Sequence, residues 1–255
     1  MPSPEFRFKQ FTIRHDRSAM KVGTDGVLLG AWAGNLTPLT SHLSPHTSQP
    51  PTLNSKLSTL NYLDVGTGTG LIALMLAQRF PHANIVGIDI DEASIEQAKE
   101  NVTDSPFKAQ ITLLRQDFND IDSFSSQFDL IVSNPPFYTE DTLGGNQARD
   151  KARHTTSLPF ETLVENAAKL LMEERLFSVI IPHQSAADFI SICVANRLYL
   201  TRRLNIRSTE RKSFNRILLE FSTKMQPSET NTLTLYDANN NRSPEYAQLT
   251  QDFYL

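Results

Sequence analysis

The chain has 255 residues, of which 39% are hydrophobic and 20% charged, as is typical of a globular protein with one large domain. The net charge of -4 argues against a nonspecific nucleic-acid binder, and the single cysteine argues against a disulfide scaffold. No apolar run approaches the roughly 20 residues that a membrane-spanning helix needs. We therefore expect a cytoplasmic protein without a secretory signal, a membrane segment or a zinc site, and its oligomeric state stays open with a monomer plausible.

The first 34 residues predict an ordered opening segment. Phe6 to Ile13 alternate apolar with polar residues, which is typical of a strand or hairpin arm, and a turn at Gly23 to Gly26 precedes a predicted helix over Val27 to Ala33. Residues 35–61 differ because they are rich in Ser, Thr and Pro and lack Gly and aromatic residues. Such a segment buries too little apolar surface to offset its ordering entropy, so we expect a mobile surface insertion.

From Leu60 onward the pattern alternates strands with helices. Strands are predicted over 60–65, 84–90, 111–115, 128–133, 176–181, 198–206 and 214–221, and helices over 71–80, 92–102, 161–171 and 186–196. This alternation predicts an α/β, doubly wound, Rossmann-like fold whose seven-stranded sheet is mostly parallel and has an antiparallel last strand. A strand-like stretch over 232–236 and a tail over 244–253 are expected to pack on the edge.

A glycine loop, Gly66-Thr67-Gly68-Thr69-Gly70, follows the first of these strands. In a doubly wound sheet this turn binds a nucleotide-like ligand, and its glycines let backbone N–H groups approach that ligand. A dinucleotide fingerprint has its third glycine one position later, where this chain has Leu71. The spacing of Gly66, Gly68 and Gly70 therefore favours S-adenosylmethionine over NAD.

Two acids follow the next two strands at the same predicted edge. Asp89 ends the second strand, where its carboxylate could accept hydrogen bonds from a ribose diol. Asp117 follows the third strand and could accept from the adenine amine of the cofactor. Either acid alone is typical of a turn or a helix cap, but together with the glycine loop they favour a cofactor site.

The sequence Asn134-Pro135-Pro136-Phe137 closes the fourth strand, again at the ligand-binding edge. The prolines stiffen the backbone and leave carbonyl groups as acceptors. The Asn134 side-chain oxygen and the Pro135 carbonyl could accept both N–H bonds of an exocyclic amine and turn its lone pair toward the methyl group. Phe137 could stack on a base that has left its own stack. The tetrapeptide therefore predicts methyl transfer to a planar amine.

These motifs resemble the class I methyltransferases that act on adenine N6, guanine N2 or glutamine N5. More specifically, the chain resembles the family of bacterial tRNA1(Val) (adenine(37)-N6)-methyltransferases in the segments 8–11 (FKQF), 15–17 (HDR), 19–26 (AMKVGTDG), 28–33 (LLGAWA), 73–79 (ALMLAQR), 153–156 (RHTT) and 249–255 (LTQDFYL). The longer insertion at 35–61 departs from the family pattern.

The resemblance implies N6 methylation of adenine 37 in the anticodon loop of a valine tRNA, with S-adenosylmethionine as the cofactor. It implies an N-terminal extension, 1–34, that contributes to the cofactor site, and a methyltransferase domain over 62–255. It implies catalysis by Asn134, Pro135, Pro136 and Phe137. The implied cofactor contacts come from Thr24, Asp25, Gly26, Asp64, Gly66, Gly68, Gly70, Asp89, Asp117 and Asn134.

Two groups of basic residues are expected to bind the tRNA through its phosphates, although the net charge is negative. One group follows the tetrapeptide and would line the mouth of the active site: Arg149, Lys151, Arg153 and His154. The other lies within the stretch from Arg197 to Arg216: Arg202, Arg203, Arg207, Arg211 and Lys212. Charge alone leaves open whether such residues simply form a solvated surface.

Three alternatives remain at this point. An N2-guanine RNA methyltransferase or a protein glutamine N5-methyltransferase would share the tetrapeptide, and only the N-terminal segments favour adenine. An NAD(P)-dependent oxidoreductase is disfavoured by the glycine spacing and the lack of a Tyr-x-x-x-Lys motif. A module that binds cofactor or RNA without catalysis would be expected to lose Asn134 or the proline pair.

Overall fold

The computed structural model describes residues 5–17, 21–34, 60–120, 124, 127–136 and 158–255. Several predictions concern positions outside these ranges: nearly all of the insertion at 35–61, the aromatic residue Phe137, and the first basic group, Arg149, Lys151, Arg153 and His154. Those predictions stay predictions.

Strands and helices alternate along the described residues much as the hydrophobic pattern predicts. The strands are β1 (Glu5–Arg7), β2 (Thr12–Arg14), β3 (Leu60–Val65), β4 (Ala83–Asp89), β5 (Ile111–Arg115), β6 (Phe128–Ser133), β7 (Leu171–Pro182), β8 (Tyr199–Arg207), β9 (Arg216–Ser222) and β10 (Glu229–Thr234). The helices are α1 (Thr24–Trp32), α2 (Leu71–Arg79), α3 (Glu92–Thr103), α4 (Phe160–Leu170), α5 (Ala186–Ala195) and α6 (Pro244–Thr250).

Eight of these strands form one sheet in the order β10-β8-β9-β7-β6-β3-β4-β5. Strand β9 runs antiparallel to both β7 and β8, whereas the remaining neighbours pair in parallel. The doubly wound α/β fold with its antiparallel strand is therefore confirmed. The number of strands differs from the expected seven, because the strand-like stretch near 232–236 joins the sheet as β10, parallel to β8.

Some boundaries also differ from prediction. Helix α1 begins at Thr24, three residues earlier than expected, because Gly23 already has the extended conformation of an N-cap. Strand β7 is a 12-residue strand that begins at Leu171, where it pairs with Phe128 ahead of a register shift. Residues 5–14 form the predicted hairpin arm, with Phe6 paired to Ile13.

The sheet is covered on both faces, as its almost continuously apolar central strands require. Buried residues of α1, α2, α3 and α6 form one cluster, and those of α4 and α5 form the other. The parallel strands β3 to β8 all end at the same side of the sheet, which we call the carboxyl edge. The loops after these strands carry most of the predicted site residues, so the topology gathers those residues at one crevice.

Candidate active site at the carboxyl edge

The glycine loop between β3 and α2 forms an open cradle. Gly66, Gly68 and Gly70 have φ angles of 72°, 55° and 80°, in the left-handed region that favours glycine. A Cβ atom added at Gly66 or Gly68 would meet no atom of the described residues within 4 Å, whereas one at Gly70 would lie 3.4 Å from the Ala98 Cβ. Gly66 and Gly68 therefore face open space, and Gly70 faces helix α3.

Asp64 lies fully buried beneath this loop. Burial raises the pKa of its carboxyl to about 7, although hydrogen bonds from the Thr67 hydroxyl and the Ala73 N–H act in the opposite direction. Both donors reach Oδ2, at 2.6 and 3.1 Å, while Oδ1 is buried without a hydrogen-bond partner among the described residues. One oxygen thus holds the loop in shape and the other can accept from a ligand.

Asp89 ends β4 and Asp117 follows β5, as predicted. Each oxygen of Asp89 accepts one backbone N–H at 2.9 Å, from Gly68 and from Asp91, and burial raises the pKa of this carboxyl. A carboxylate oxygen has a second lone pair, so Asp89 can still accept from a diol. The Asp117 Oδ1 accepts from the N–H and side-chain amide of Asn119, at 2.8 and 2.7 Å. Asp89 therefore contacts the cradle through Gly68, whereas Asp117 follows β5 at the same edge of the sheet.

Asn134 lies next to the cradle because strands β3 and β6 are neighbours. Ser133 pairs in register with Val65, and its hydroxyl donates to the Val65 carbonyl oxygen at 3.0 Å. The Asn134 Oδ1 is buried and has no hydrogen-bond partner in the part of the chain that the structure describes. Leaving such an acceptor unpaired costs about 1–3 kcal/mol, so this oxygen suits a ligand that brings an N–H donor. Pro135 is buried and Pro136 is exposed.

Helix α1 brings Thr24, Asp25 and Gly26 to the same edge. The Asp25 Oδ2 accepts from the Arg216 Nε at 2.7 Å, which ties the start of α1 to the start of β9. A Cβ at Gly26 would lie 3.1 Å from the Leu71 side chain, so glycine lets α1 approach the residue that follows the glycine loop. In the sequence, Arg216 is recognised only as the last residue of the basic stretch from Arg197 to Arg216, and this ion pair was not predicted.

A second contact ties the N-terminal segment to the cradle, and the sequence did not predict it. The Asn101 side chain on α3 accepts from the Arg14 N–H and donates to the Arg14 carbonyl, each at 2.9 Å. The same amide group donates to the Thr69 carbonyl of the glycine loop, also at 2.9 Å. One buried side chain therefore connects the N-terminal segment, α3 and the loop.

The second basic group divides into residues with different surroundings. Arg202 is buried, and its Nε donates to the buried Glu220 at 2.7 Å, so its predicted contact with RNA phosphates is wrong. Arg203 and Arg207 are partly exposed, and each donates to a threonine of β10, Thr230 and Thr234 respectively. Arg211 and Lys212 are exposed on the loop between β8 and β9. Arg207, Arg211 and Lys212 lie at the carboxyl edge.

The residues that the structure describes lack two kinds of feature. None of their helices is long and apolar enough to cross a membrane. They also contain no group of three or more His, Cys, Asp or Glu side chains arranged to hold a metal ion.

Comparison with known proteins gives consistent matches. A protein-family model described as a methyltransferase domain matches residues 56–200. The tRNA1(Val) (adenine(37)-N6)-methyltransferase of Bacteroides thetaiotaomicron is 42% identical, with 100% of this chain and 99% of that protein covered. The protein of the same name from Pectobacterium carotovorum is 40% identical, with 98% and 93% covered.

Solved structures support the fold alone. A predicted O-methyltransferase from Agrobacterium tumefaciens has a TM-score of 0.66 at 16% identity, covering 89% of this chain and 96% of that one. An S-adenosylmethionine-dependent class I methyltransferase from Listeria monocytogenes has a TM-score of 0.51 at 15% identity, covering 71% and 61%. The sequence comparisons thus show a methyltransferase family, and the solved structures show that the fold is shared.

Proposed function

Because the chain belongs to the family of tRNA1(Val) (adenine(37)-N6)-methyltransferases, we propose that it methylates N6 of adenine 37 in the anticodon loop of a valine tRNA. It is an S-adenosylmethionine-dependent enzyme with the class I fold. The observation that carries the proposal is the buried Asn134 Oδ1, which has no hydrogen-bond partner among the described residues, beside the open glycine cradle. A tRNA substrate also agrees with the cytoplasmic location expected from the sequence.

The residues at the carboxyl edge fit the cofactor. When bound, S-adenosylmethionine supplies a methyl group activated on a sulfonium. Gly66 and Gly68 leave the space and the close backbone approach that this ligand needs. In our proposal Asp89 accepts from the ribose diol and Asp117 from the adenine amine. Residues 1–34 complete this site in our proposal, supported by the Asp25–Arg216 ion pair and by the contact of Asn101 with both Arg14 and Thr69.

Asn134 and Pro135 position the amine that accepts the methyl group. An exocyclic amine is a poor nucleophile because its lone pair is delocalised into the ring. The Asn134 Oδ1 and the Pro135 carbonyl oxygen accept its two N–H bonds, which favours a pyramidal nitrogen with the lone pair directed at the methyl. The glycine loop and Asp89 would hold S-adenosylmethionine, which would supply the methyl group by giving up its C–S bond, and the methylated amine would lose one proton to water. This chemistry requires positioning and electrostatic stabilisation, without a strong base.

The tRNA is held, in our proposal, by basic residues around this site. The exposed Arg211 and Lys212 and the partly exposed Arg203 and Arg207 remain as candidates from the second group. Phosphate contacts of this kind position the RNA, while the contacts to the base select adenine. Phe137 and the first basic group are the further predicted contacts outside the described residues.

Nucleoside analysis tests the proposed function. Purified protein is incubated with bulk tRNA and methyl-labelled S-adenosylmethionine, and N6-methyladenosine is the expected product. N2-methylguanosine would instead indicate a guanine methyltransferase, and label in protein but not RNA would indicate glutamine methylation. Asn134→Ala should lower the transfer rate by about 100-fold or more while cofactor affinity stays within about twofold. Asn239→Ala, in an exposed turn, serves as the matched control.

A further inference from the structure

Three planar side chains lie together at the carboxyl edge, beside the predicted site. The rings of His183 and Phe214 stack with their centroids 5.5 Å apart and an interplanar angle of 29°. The Arg207 guanidinium carbon lies 5.6 Å from the centroid of the same Phe214 ring. All three side chains are partly exposed. We call this group the stacking cluster.

The stacking cluster is held in place by its own hydrogen bonds. The His183 ring is bonded through Nε2 to the Asn205 Oδ1 at 3.1 Å. The Arg207 Nε donates to the Thr234 hydroxyl at 2.9 Å, and its terminal nitrogen donates to the Glu210 carbonyl at 3.1 Å. These bonds orient the His183 ring and the Arg207 guanidinium, against which the Phe214 ring packs, before any ligand arrives, so little side-chain entropy is left to lose on binding.

Core packing does not explain the cluster. Phe214 belongs to neither of the two hydrophobic clusters that cover the sheet, and it is not among the partly buried residues that pack against them. The exposed cations Arg211 and Lys212 lie on the same loop, between β8 and β9. Partly exposed aromatic rings combined with positive charge are the usual means of holding single-stranded nucleic acid, by base stacking and phosphate contact.

The register of the sheet places this cluster close to Asn134. Ser133 pairs with Val179, so Asn134, directly after β6, lies level with Ile180. Strand β7 ends two residues later at Pro182, and His183 follows it as the first residue of a short 3-10 helix. At about 3.3 Å per strand residue, the cluster rises roughly 10 Å above Asn134. Stacked nucleotides are about 3.4 Å apart, so this height corresponds to a nucleotide one to three positions from the target.

We propose that His183, Phe214 and Arg207 form a platform on which a base of the anticodon loop within three positions of the methylated adenine stacks. This inference rests on the proposed function and adds to it a contact that holds the loop while the target adenine is presented to Asn134. Because a π face is common to all bases, the platform contributes affinity for the open loop rather than a choice of sequence.

Substitutions at Phe214 test the proposal. Phe214→Leu keeps an apolar side chain but removes the π face, and it should weaken tRNA binding by about tenfold. Phe214→Tyr keeps the ring and should bind tRNA within about twofold of the wild type. Both variants should keep the cofactor affinity and unfolding temperature of the wild type. Phe107→Leu, partly buried in the loop before β5, is the matched control and should leave tRNA binding unchanged.

A fluorescent base gives a readout that a purely structural role would not affect. Anticodon-loop RNAs carry 2-aminopurine in turn at each of the three positions nearest adenine 37. At one of these positions the fluorescence should be quenched on binding to the wild type and Phe214→Tyr, and much less by Phe214→Leu at saturation. Equal quenching by all three proteins, or wild-type tRNA affinity in Phe214→Leu, would overturn the platform. If the wild type forms no N6-methyladenosine but Phe214→Leu still loses quenching, the proposed function fails and the RNA platform stands.

Discussion

Replacing Arg202 by methionine perturbs a buried ion pair at the C-terminal end of α1. The Arg202 Nε donates to the Glu220 Oε1 at 2.7 Å, and its guanidinium lies 4.3 Å from the Trp32 ring centroid. Glu220 is only 1% exposed and also accepts, on Oε2, from the Gly34 N–H and the Ser178 hydroxyl. Methionine retains much of the apolar stem but leaves the buried carboxylate without its cation.

The expected loss of stability is large for a single substitution. Breaking a buried ion pair by removing one partner costs about 3–5 kcal/mol. In a protein of this size each kcal/mol lowers the unfolding temperature by about 2–4 °C, so Arg202→Met should unfold roughly 10 °C below the wild type. Circular dichroism during heating measures this difference. Arg203→Met, which loses only a partly exposed bond to Thr230, should stay within about 2 °C.

A double variant identifies the cause of the loss. In Arg202→Met with Glu220→Gln, the amide oxygen can still accept from Gly34 and Ser178, while the unpaired charge is gone. Most of the lost stability should therefore return. The reasoning is refuted if Arg202→Met unfolds at the same temperature as Arg203→Met, or if the double variant is no more stable than Arg202→Met alone.

Three further predictions concern the cradle and the RNA surface. The pKa of Asp64 is raised to about 7 from an ordinary value near 3.8, so between about pH 4 and 7 the folded wild type keeps a proton that the unfolded chain has lost, and its stability falls as the pH rises through that range. Measured by urea unfolding, the stability of Asp64→Asn relative to the wild type should therefore increase across this range. A stability difference that stays constant with pH would contradict this prediction. Gly68→Ala and Gly70→Ala should each cost about 1–2 kcal/mol of folding free energy from backbone strain. Only Gly68→Ala should strongly weaken cofactor binding, measured by calorimetry, because its Cβ enters the open cradle. Equal losses of cofactor affinity in the two variants would count against that geometry. Arg211→Ala should weaken tRNA binding and lower the slope of log affinity against log salt by about one, without changing cofactor affinity; an unchanged salt slope would remove Arg211 from the RNA surface.

Much of the fold and site follows from local sequence patterns. Alternating strands and helices predict a parallel sheet, and parallel strands end at one edge, so the loop at Gly66–Gly70 and the residues Asp89, Asp117 and Asn134 had to converge there. Chain order does not reveal which later strands are neighbours. Because β9 lies between β7 and β8, residues after β7 and before β9 meet in the stacking cluster, which the sequence did not predict.

The prediction that Arg202 binds RNA was wrong, although the sequence contains a pattern that indicates a buried side chain at this position. Arg202 alternates with Leu204 and Ile206, and period two puts these three residues on the same, buried face of β8. Glu220 interrupts the apolar run of β9, and a buried carboxylate there needs a cation. Counting charges over a stretch of the chain ignores this alternation. The Asp25–Arg216 and Asn101–Thr69 contacts, in contrast, join residues far apart in the chain, and no local pattern marks them.

A defined transcript tests the central claim most directly. The valine tRNA is transcribed with adenine at position 37 and, as a control, with guanine at that position, and each is incubated with the wild type and labelled S-adenosylmethionine. We predict N6-methyladenosine at position 37 of the first transcript and no label in the second. Equal labelling of both transcripts, or label at another nucleotide of the first, would contradict the proposal that this enzyme methylates adenine 37.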